Sequence, residues 1–170
     1  MLTWGTDMGN LSCIGKGKYS SVYEHPLKAD SVLILGQDPF KEMLVEVRCH
    51  ISEEFLVHVP QLEHTGELDT SVVYEAPRYV RLTKKHYPKA YADYVEIGAC
   101  IGKLRHKSVI RLAQLARCTV EHNGALGALW ELSNLALNYS KNALLDYAKR
   151  NFMVDPATGE LVLNDLFFEP

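Results

Sequence analysis

The chain has 170 residues, 47% of them hydrophobic, and a formal net charge of −3 at pH 7. This composition predicts a folded chain with its own core and excludes an intrinsically disordered one. No apolar run approaches the roughly 20 residues of a membrane-spanning helix, and the first residues lack the basic and apolar regions of a secretory signal. The cysteines and histidines lack the spacing of a zinc site. We therefore expect a cytoplasmic protein with no membrane contact.

Charge is distributed unevenly along the sequence. Residues 1–77 hold 5 Lys/Arg against 12 Asp/Glu, residues 78–117 hold 10 against 2, and residues 118–170 hold 3 against 7. One interpretation of the basic segment 78–117 is a solvated helical face. The other is a docking surface for an acidic partner or for nucleic acid. The positive charges are spread over the whole segment, so composition alone leaves both interpretations open.

The stretch from Ile14 to Tyr23 predicts two strands joined by a glycine-rich hairpin. Glycines allow a backbone to approach phosphate oxygens closely, because no Cβ stands in the way. The spacing matches the G-x-G-x-x-G-x-V loop of protein kinases, with Ser20 in place of the third glycine. Taken alone, the same pattern also fits a plain β-hairpin turn.

The other elements follow from hydrophobic periodicity and turn residues. Strands are predicted at 31–35, 55–62, 70–75, 151–154 and 161–163. Helices are predicted at 40–54, 91–103, 108–121 and 123–139, the first of them capped by Asp38 with Pro39 at its first position. Turns are predicted at 66–69 and 155–160. A domain boundary is predicted at Ala76-Pro77.

Three polar residues near the carboxyl end have the spacing of a phosphotransfer site. Asp146 and Asn151 match the D-x-x-x-x-N catalytic loop of kinases. Asp165 follows two apolar strands and stands where the aspartate of D-F-G would stand. Each residue alone also fits a structural role, such as a turn cap or a strand-end carboxylate. Their joint order, on elements of the right type, favours phosphoryl transfer.

On these motifs the sequence resembles the protein kinase superfamily, and within it the early serine/threonine protein kinases of autographivirus podophages, in truncated and degenerate form. The resemblance is carried by residues 14–27, 32–36 and 146–151 and by Asp165. It implies an α+β, minimal two-lobed protein-kinase-like fold. Residues 1–77 would form an N-lobe, an antiparallel sheet with one helix. Residues 78–170 would form a reduced, mostly helical C-lobe.

The resemblance also implies ATP and Mg²⁺ as cofactors and assigns the site residues by position. Asp146 would be catalytic, and Asn151 and Asp165 would bind the metal. The nucleotide would contact the hairpin and the first hinge residue, that is Gly15, Lys16, Gly17, Lys18, Ser20, Val22 and Glu75.

Several positions depart from the kinase pattern. Ile34 stands where kinases place the lysine that grips the phosphates, so ATP binding is predicted to be weak or lost unless Lys16, Lys18 or Lys28 substitutes. Leu144-Leu145 replaces the His-Arg before the catalytic Asp, and Ala148 replaces a lysine after it. Pro77 lacks the N–H that a hinge offers to adenine. The chain stops shortly after Asp165, so we expect no activation segment.

Three functions stay open. The first is a pseudokinase of a phage that binds and inhibits a host factor in the host cytoplasm, favoured by the lost lysine. The second is an atypical active Ser/Thr protein kinase acting on host proteins, favoured by retention of Asp146, Asn151 and Asp165. The third is a nucleic-acid-binding inhibitor, which rests on the charge asymmetry alone. Oligomeric state does not follow from the sequence.

Overall fold

The computed structural model describes residues 11–102 and 124–170. They fall into two compact units. The first unit holds the described residues up to Val45 together with Gln61–Arg78, and the second holds Glu46–Pro60 together with the described residues from Tyr79 onward. The predicted domains are continuous segments, whereas each unit is built from two. The helix predicted at 108–121 lies outside the described residues.

The first unit contains an antiparallel five-stranded sheet and one helix. The strands pair in the order β1-β2-β3-β5-β4. They are β1 (Cys13–Lys16), β2 (Ser20–Glu24), β3 (Ser31–Gly36), β4 (Glu63–Leu68) and β5 (Ser71–Pro77). In the central strand β3, Val32, Leu33 and Ile34 are all buried, as expected for a continuous apolar run covered on both faces.

Helix α1 (Pro39–Val47) begins where the sequence predicts but ends earlier. The backbone N–H of Phe40 donates to Asp38 Oδ1 at 3.0 Å, so Asp38 caps the helix as predicted. Two 3-10 helices, Arg48–His50 and Glu53–His58, replace the end of the predicted helix and the start of the segment predicted as extended. The Arg48 guanidinium donates to the carbonyls of Val59 and Pro60, each at 3.0 Å, and so fixes this turn of the chain.

The second unit contains two longer helices and several short strands. The helices are α2 (Pro88–Ile101) and α3 (Gly124–Tyr139). The strands are β6 (Val80–Arg81), β7 (Leu144–Leu145), β8 (Phe152–Val154), β9 (Leu161–Leu163) and β10 (Phe167–Phe168). They form a three-stranded sheet, β6-β8-β9, and a two-stranded pair, β10-β7. Leu129 and Leu132 of α3 are buried in the core of this unit.

The fold class is α+β, as predicted. An antiparallel five-stranded sheet with one helix forms the first unit, and two longer helices with several short strands form the second. Across the described ranges, every helix is too short or too polar to cross a membrane.

Candidate functional site

The glycine-rich hairpin joins β1 to β2, as predicted. The Gly17 N–H donates to the Ser20 carbonyl at 2.8 Å and closes the turn. A Cβ added to Gly17 would lie 3.4 Å from that carbonyl oxygen, and one added to Gly15 would lie 3.5 Å from Val22 Cβ, both ordinary contacts. Neither glycine has a positive φ. Packing and backbone conformation therefore do not require glycine at either position, and the role of these glycines in nucleotide binding stays a prediction.

A polar cavity of about 480 Å³ lies beside this hairpin, within the first unit. It is bordered by the hairpin turn, the end of β3 and the β4–β5 turn. Its polar lining residues include Lys16, Lys18, Ser20, Ser21, Gln37 and Thr70. None of the described residues that line the cavity is acidic. Two ammonium groups with hydroxyl and backbone donors suit an anion such as a phosphate.

Ile34 occupies a core position. It lies opposite Val22 on β2 and Tyr74 on β5, so these three side chains share one face of the sheet. Ile34 is 6% exposed and Tyr74 is 3% exposed. Position 34 therefore supplies apolar packing and no positive charge, which agrees with the departure seen in the sequence.

Glu75 is tied into a charged cluster at the other end of the sheet from the hairpin turn. Its carboxylate accepts from Lys28 Nζ at 2.6 Å and lies 3.5 Å from His25 Nε2. The hydrogen bond from Lys28 is the main cause that lowers the pKa of Glu75. Strand β5 continues through Pro77. Glu75 therefore lies inside strand β5, two residues before its end. Its role as the first hinge residue and its contact with nucleotide stay predictions.

Asp146 and Asn151 are joined in the second unit by a side-chain hydrogen bond. Asn151 Nδ2 donates to the backbone carbonyl of Asp146 at 3.0 Å. Because a carbonyl can only accept, the amide orientation is fixed and Asn151 Oδ1 points elsewhere. Asn151 is 5% exposed. Its amide oxygen is of the chemical type that a hard cation prefers as a ligand.

Asp165 is brought next to this loop by strand pairing. Leu145 of β7 lies opposite Phe167 of β10, and the Asp146 N–H donates to the Leu166 carbonyl at 2.7 Å. Backbone pairing therefore brings the segment with Asp165 next to the loop with Asp146 and Asn151, the three residues predicted as a phosphotransfer set.

Asp165 also has an unusual backbone. Its φ is 54°, in the left-handed region that non-glycine residues rarely adopt. Aspartate tolerates this conformation better than most other non-glycine residues, as Asp69 in the β4–β5 turn also shows. The conformation places an exposed carboxylate between Asn164 and the buried Leu166. In the described ranges no three His, Cys, Asp or Glu side chains cluster as a metal site. The oxygen donors of Asn151 and Asp165 nonetheless suit Mg²⁺, which takes few protein ligands.

An aromatic cluster holds the loop 146–151 against α2. The ring of Tyr147 stacks on Tyr94 with centroids 5.2 Å apart and meets Phe152 edge-on at 5.0 Å. Tyr147 Oη donates to the Tyr94 carbonyl at 2.9 Å, and burial raises the pKa of Tyr147. A Cβ on Gly98 would lie 2.3 Å from that hydroxyl oxygen, so glycine is needed there. The cluster positions the backbone that carries Asp146.

Arg150 is a further residue of this site that sequence reasoning missed. Its guanidinium donates to Asp146 Oδ2 at 2.9 Å. The i,i+4 rule for ion pairs applies to α-helices, and residues 146–150 are not α-helical, so the sequence carried no signal for this pair. For the aromatic cluster, the tyrosine pair at 91 and 94, three residues apart on a predicted helix, was a signal available in the sequence.

The comparisons with known proteins give structures of low similarity. Neither a protein-family model nor a curated protein sequence matches the chain. The kinase domain of BubR1 is 18% identical, with a TM-score of 0.45, and the match covers 94% of this chain and 47% of that domain. A thermostable mutant of aminoglycoside phosphotransferase APH(4)-Ia, in complex with AMP-PNP and hygromycin B, is 15% identical, with a TM-score of 0.43, and the match covers 96% and 70%. The chain thus spans about half the length of the BubR1 domain. At these TM-scores we conclude nothing about function from the likeness.

Proposed function

We propose that the chain is an atypical protein kinase that binds Mg²⁺–ATP and transfers its terminal phosphoryl group to a protein hydroxyl. The observations that carry this proposal are the hydrogen bond from Asn151 Nδ2 to the Asp146 carbonyl and the one from the Asp146 N–H to the carbonyl of Leu166, the neighbour of Asp165. A turn cap or a strand-end carboxylate would not need all three residues in one place.

The residues have separable tasks. The bound nucleotide and Mg²⁺ supply the phosphoryl group and the charge that neutralises it. Within the second unit, Asn151 Oδ1 and the Asp165 carboxylate would hold the metal. Lys16 and Lys18, in the hairpin of the first unit, are taken by themselves as candidates for contact with phosphate groups. Arg150 keeps one oxygen of Asp146 occupied, at 2.9 Å. The other oxygen, Oδ1, is the one that accepts the proton of the acceptor hydroxyl.

The test separates nucleotide binding from transfer. The wild-type protein, Asp146→Asn and Asp165→Asn are compared for Mg²⁺–ATP-dependent thermal shift and for labelling of the chain itself and of a bacterial lysate with γ-labelled ATP. We expect Asp146→Asn to keep the thermal shift and to lose labelling by about 10²- to 10⁴-fold. We expect Asp165→Asn to lose the Mg²⁺-dependent part of the shift.

Asp30→Asn is the matched control, because Asp30 is an exposed aspartate in the β2–β3 turn. It should behave like the wild type in both assays. Absence of both labelling and thermal shift in the wild-type protein would exclude the kinase and its nucleotide site together.

The second candidate is a pseudokinase, favoured by the buried apolar Ile34 at the position of the usual lysine. In this version the chain is phage-encoded and binds a host protein in the host cytoplasm without transferring phosphate. A thermal shift without labelling, or capture of a host protein that Asp146→Asn leaves unchanged, would favour it over the kinase.

A further inference from the structure

A group of unneutralised positive charges lies at the start of the second unit. We call residues 81–86, which run from the end of β6 toward α2, the basic loop. Arg81, Lys84 and Lys85 of this loop are exposed. None of the three forms an ion pair with another described residue. No acidic residue occurs between Glu75 and Asp93.

Other basic residues nearby are already paired. Lys89 pairs with Glu160, and Arg78 pairs with Glu24 at 3.2 Å. Arg150 pairs with Asp146. Within the described part of segment 78–117, residues 78–102, the charge available to a partner is therefore concentrated in the basic loop.

One end of the basic loop, and the helix α2 that follows the loop, contact the segment that carries Asp146. Arg81 is paired with Met153 in the β6–β8 ladder, two residues after Asn151. Tyr91 in the first turns of α2 lies under Lys149, whose Nζ is 5.3 Å from the ring centroid. Backbone hydrogen bonds from Tyr87 N–H to the Thr83 carbonyl, and from Tyr91 N–H to the Tyr87 carbonyl, connect the loop to the helix. Exposed Lys149 extends the positive surface to within three residues of Asp146.

We propose that the basic loop and Lys149 bind an acidic segment of the protein substrate and so select hydroxyl groups flanked by Asp or Glu. This inference rests on the proposed kinase function and names its substrate class. Positive charges beside the reacting position, opposite to negative charges on the substrate, give specificity and raise the rate of association. Each exposed ion pair adds only modestly to the binding affinity.

The charge of the rest of the chain favours an acidic protein segment over nucleic acid. The segments on either side of 78–117 are both acidic, and the net charge is −3. Nucleic-acid binding depends on many phosphate contacts along an extended polyanion, which these acidic segments would repel. An acidic peptide of a few residues needs only the local charges.

The test measures binding of defined probes in the absence of nucleotide, so it does not depend on phosphate transfer. The probes are a peptide with a central serine flanked by glutamates, the same peptide with glutamines, and a short oligothymidylate. The variants are Lys84→Gln with Lys85→Gln, and, as matched control, Lys89→Gln, whose charge is already paired.

We expect the acidic peptide to bind better than the neutral one, and we expect the double variant to weaken binding of the acidic peptide about five- to tenfold. We expect the control to change affinity less than twofold, and added salt to remove the difference.

Three outcomes would overturn the proposal: equal affinity for the two peptides, stronger binding of the oligothymidylate with displacement of the acidic peptide, or an effect of Lys89→Gln as large as that of the double variant. Where transfer is also observed, the double variant should raise KM for the acidic peptide and leave kcat unchanged. Acidic-peptide binding without any transfer would leave this surface intact and contradict only the proposed kinase.

Discussion

The hairpin 15–20 in the first unit and the loop 146–151 in the second are fixed by different means. The hairpin turn is closed by one backbone hydrogen bond, from Gly17 to Ser20, and its glycines are not needed by packing. The loop is held by the Asn151 side chain and by the stacked ring of Tyr147. For the proposed kinase, the hairpin has to let phosphate oxygens approach its backbone, whereas Asp146 has to be held in position before its substrate arrives.

The glycines in and beside the hairpin differ in the same way: packing requires Gly36 but does not require Gly15 or Gly17. A Cβ on Gly36 would lie 2.2 Å from the Tyr19 carbonyl oxygen and 2.7 Å from Ser20 Cα, both backbone atoms that cannot move aside easily. Gly36 therefore lets the end of β3 pair closely with Ser20 at the start of β2. The hairpin thus depends on one structural glycine, whereas packing does not require its own two glycines.

The largest expected effect follows from this contrast. Gly36→Ala should lower the free energy of unfolding by about 1–3 kcal/mol or more, because the added methyl overlaps backbone atoms. Gly17→Ala should change it by less than about 0.5 kcal/mol, yet weaken nucleotide binding. Urea denaturation and Mg²⁺–ATP titration of the two variants check both statements. If Gly17→Ala destabilises the chain as much as Gly36→Ala does, the hairpin glycines are structural and the contrast fails.

Local patterns in the sequence were enough for much of the first unit. The hairpin, β3 and the Asp38 cap depend on residues close together in the chain, so turn chemistry and periodicity predicted them. The β4–β5 turn was misplaced. Gly66 lies at an irregularity in β4, and the turn is made at Asp69, whose φ is 53°. Glycine was interpreted as the turn residue, but aspartate also tolerates the left-handed conformation.

Contacts distant in sequence explain what could not be predicted. Strands β6, β7 and β10 have two residues each, too few for a detectable period. The 3-10 helix Glu53–His58 covers the end of the helix predicted at 40–54 and the start of the segment predicted as extended at 55–62. His58 Nδ1 lies 2.8 Å from the Leu161 carbonyl oxygen, a partner more than 100 residues away, which no local pattern contains. For the candidate site, motif spacing predicted Asp146, Asn151 and Asp165. It could not predict the ion pair of Arg150 or the aromatic cluster around Tyr147.

A smaller effect is expected in the support of the loop. Tyr147→Phe removes the hydrogen bond to the Tyr94 carbonyl and should cost about 1 kcal/mol of unfolding free energy. Gly98→Ala should cost more in the wild type than in the Tyr147→Phe background, because the hydroxyl that the methyl would meet is absent there. A double-mutant cycle by urea denaturation measures this coupling. Strict additivity would show that Gly98 does not act through Tyr147, and the loop would then be held less firmly than we infer.

The smallest expected effect is at the end of the first sheet opposite the hairpin turn, where Lys28 holds Glu75. The pKa of Glu75 is lowered from its ordinary 4.5, mainly by the hydrogen bond from Lys28. The pair therefore stabilises the fold above pH 4.5. This contribution is lost as pH falls through the lower pKa that Glu75 has in the folded state. The pKa of Lys28 is raised from 10.5 by the same bond, so the contribution is also lost as pH rises through that higher value. Glu75→Gln should therefore lower the unfolding free energy at pH 7 and become equal to the wild type in strong acid. Glu63→Gln, an exposed neighbour on β4 that lies opposite Glu75, is the control and should show a flatter profile in the same urea titrations. A Glu75→Gln deficit that persists in strong acid would show that packing, and not the ion pair, fixes this end of the sheet.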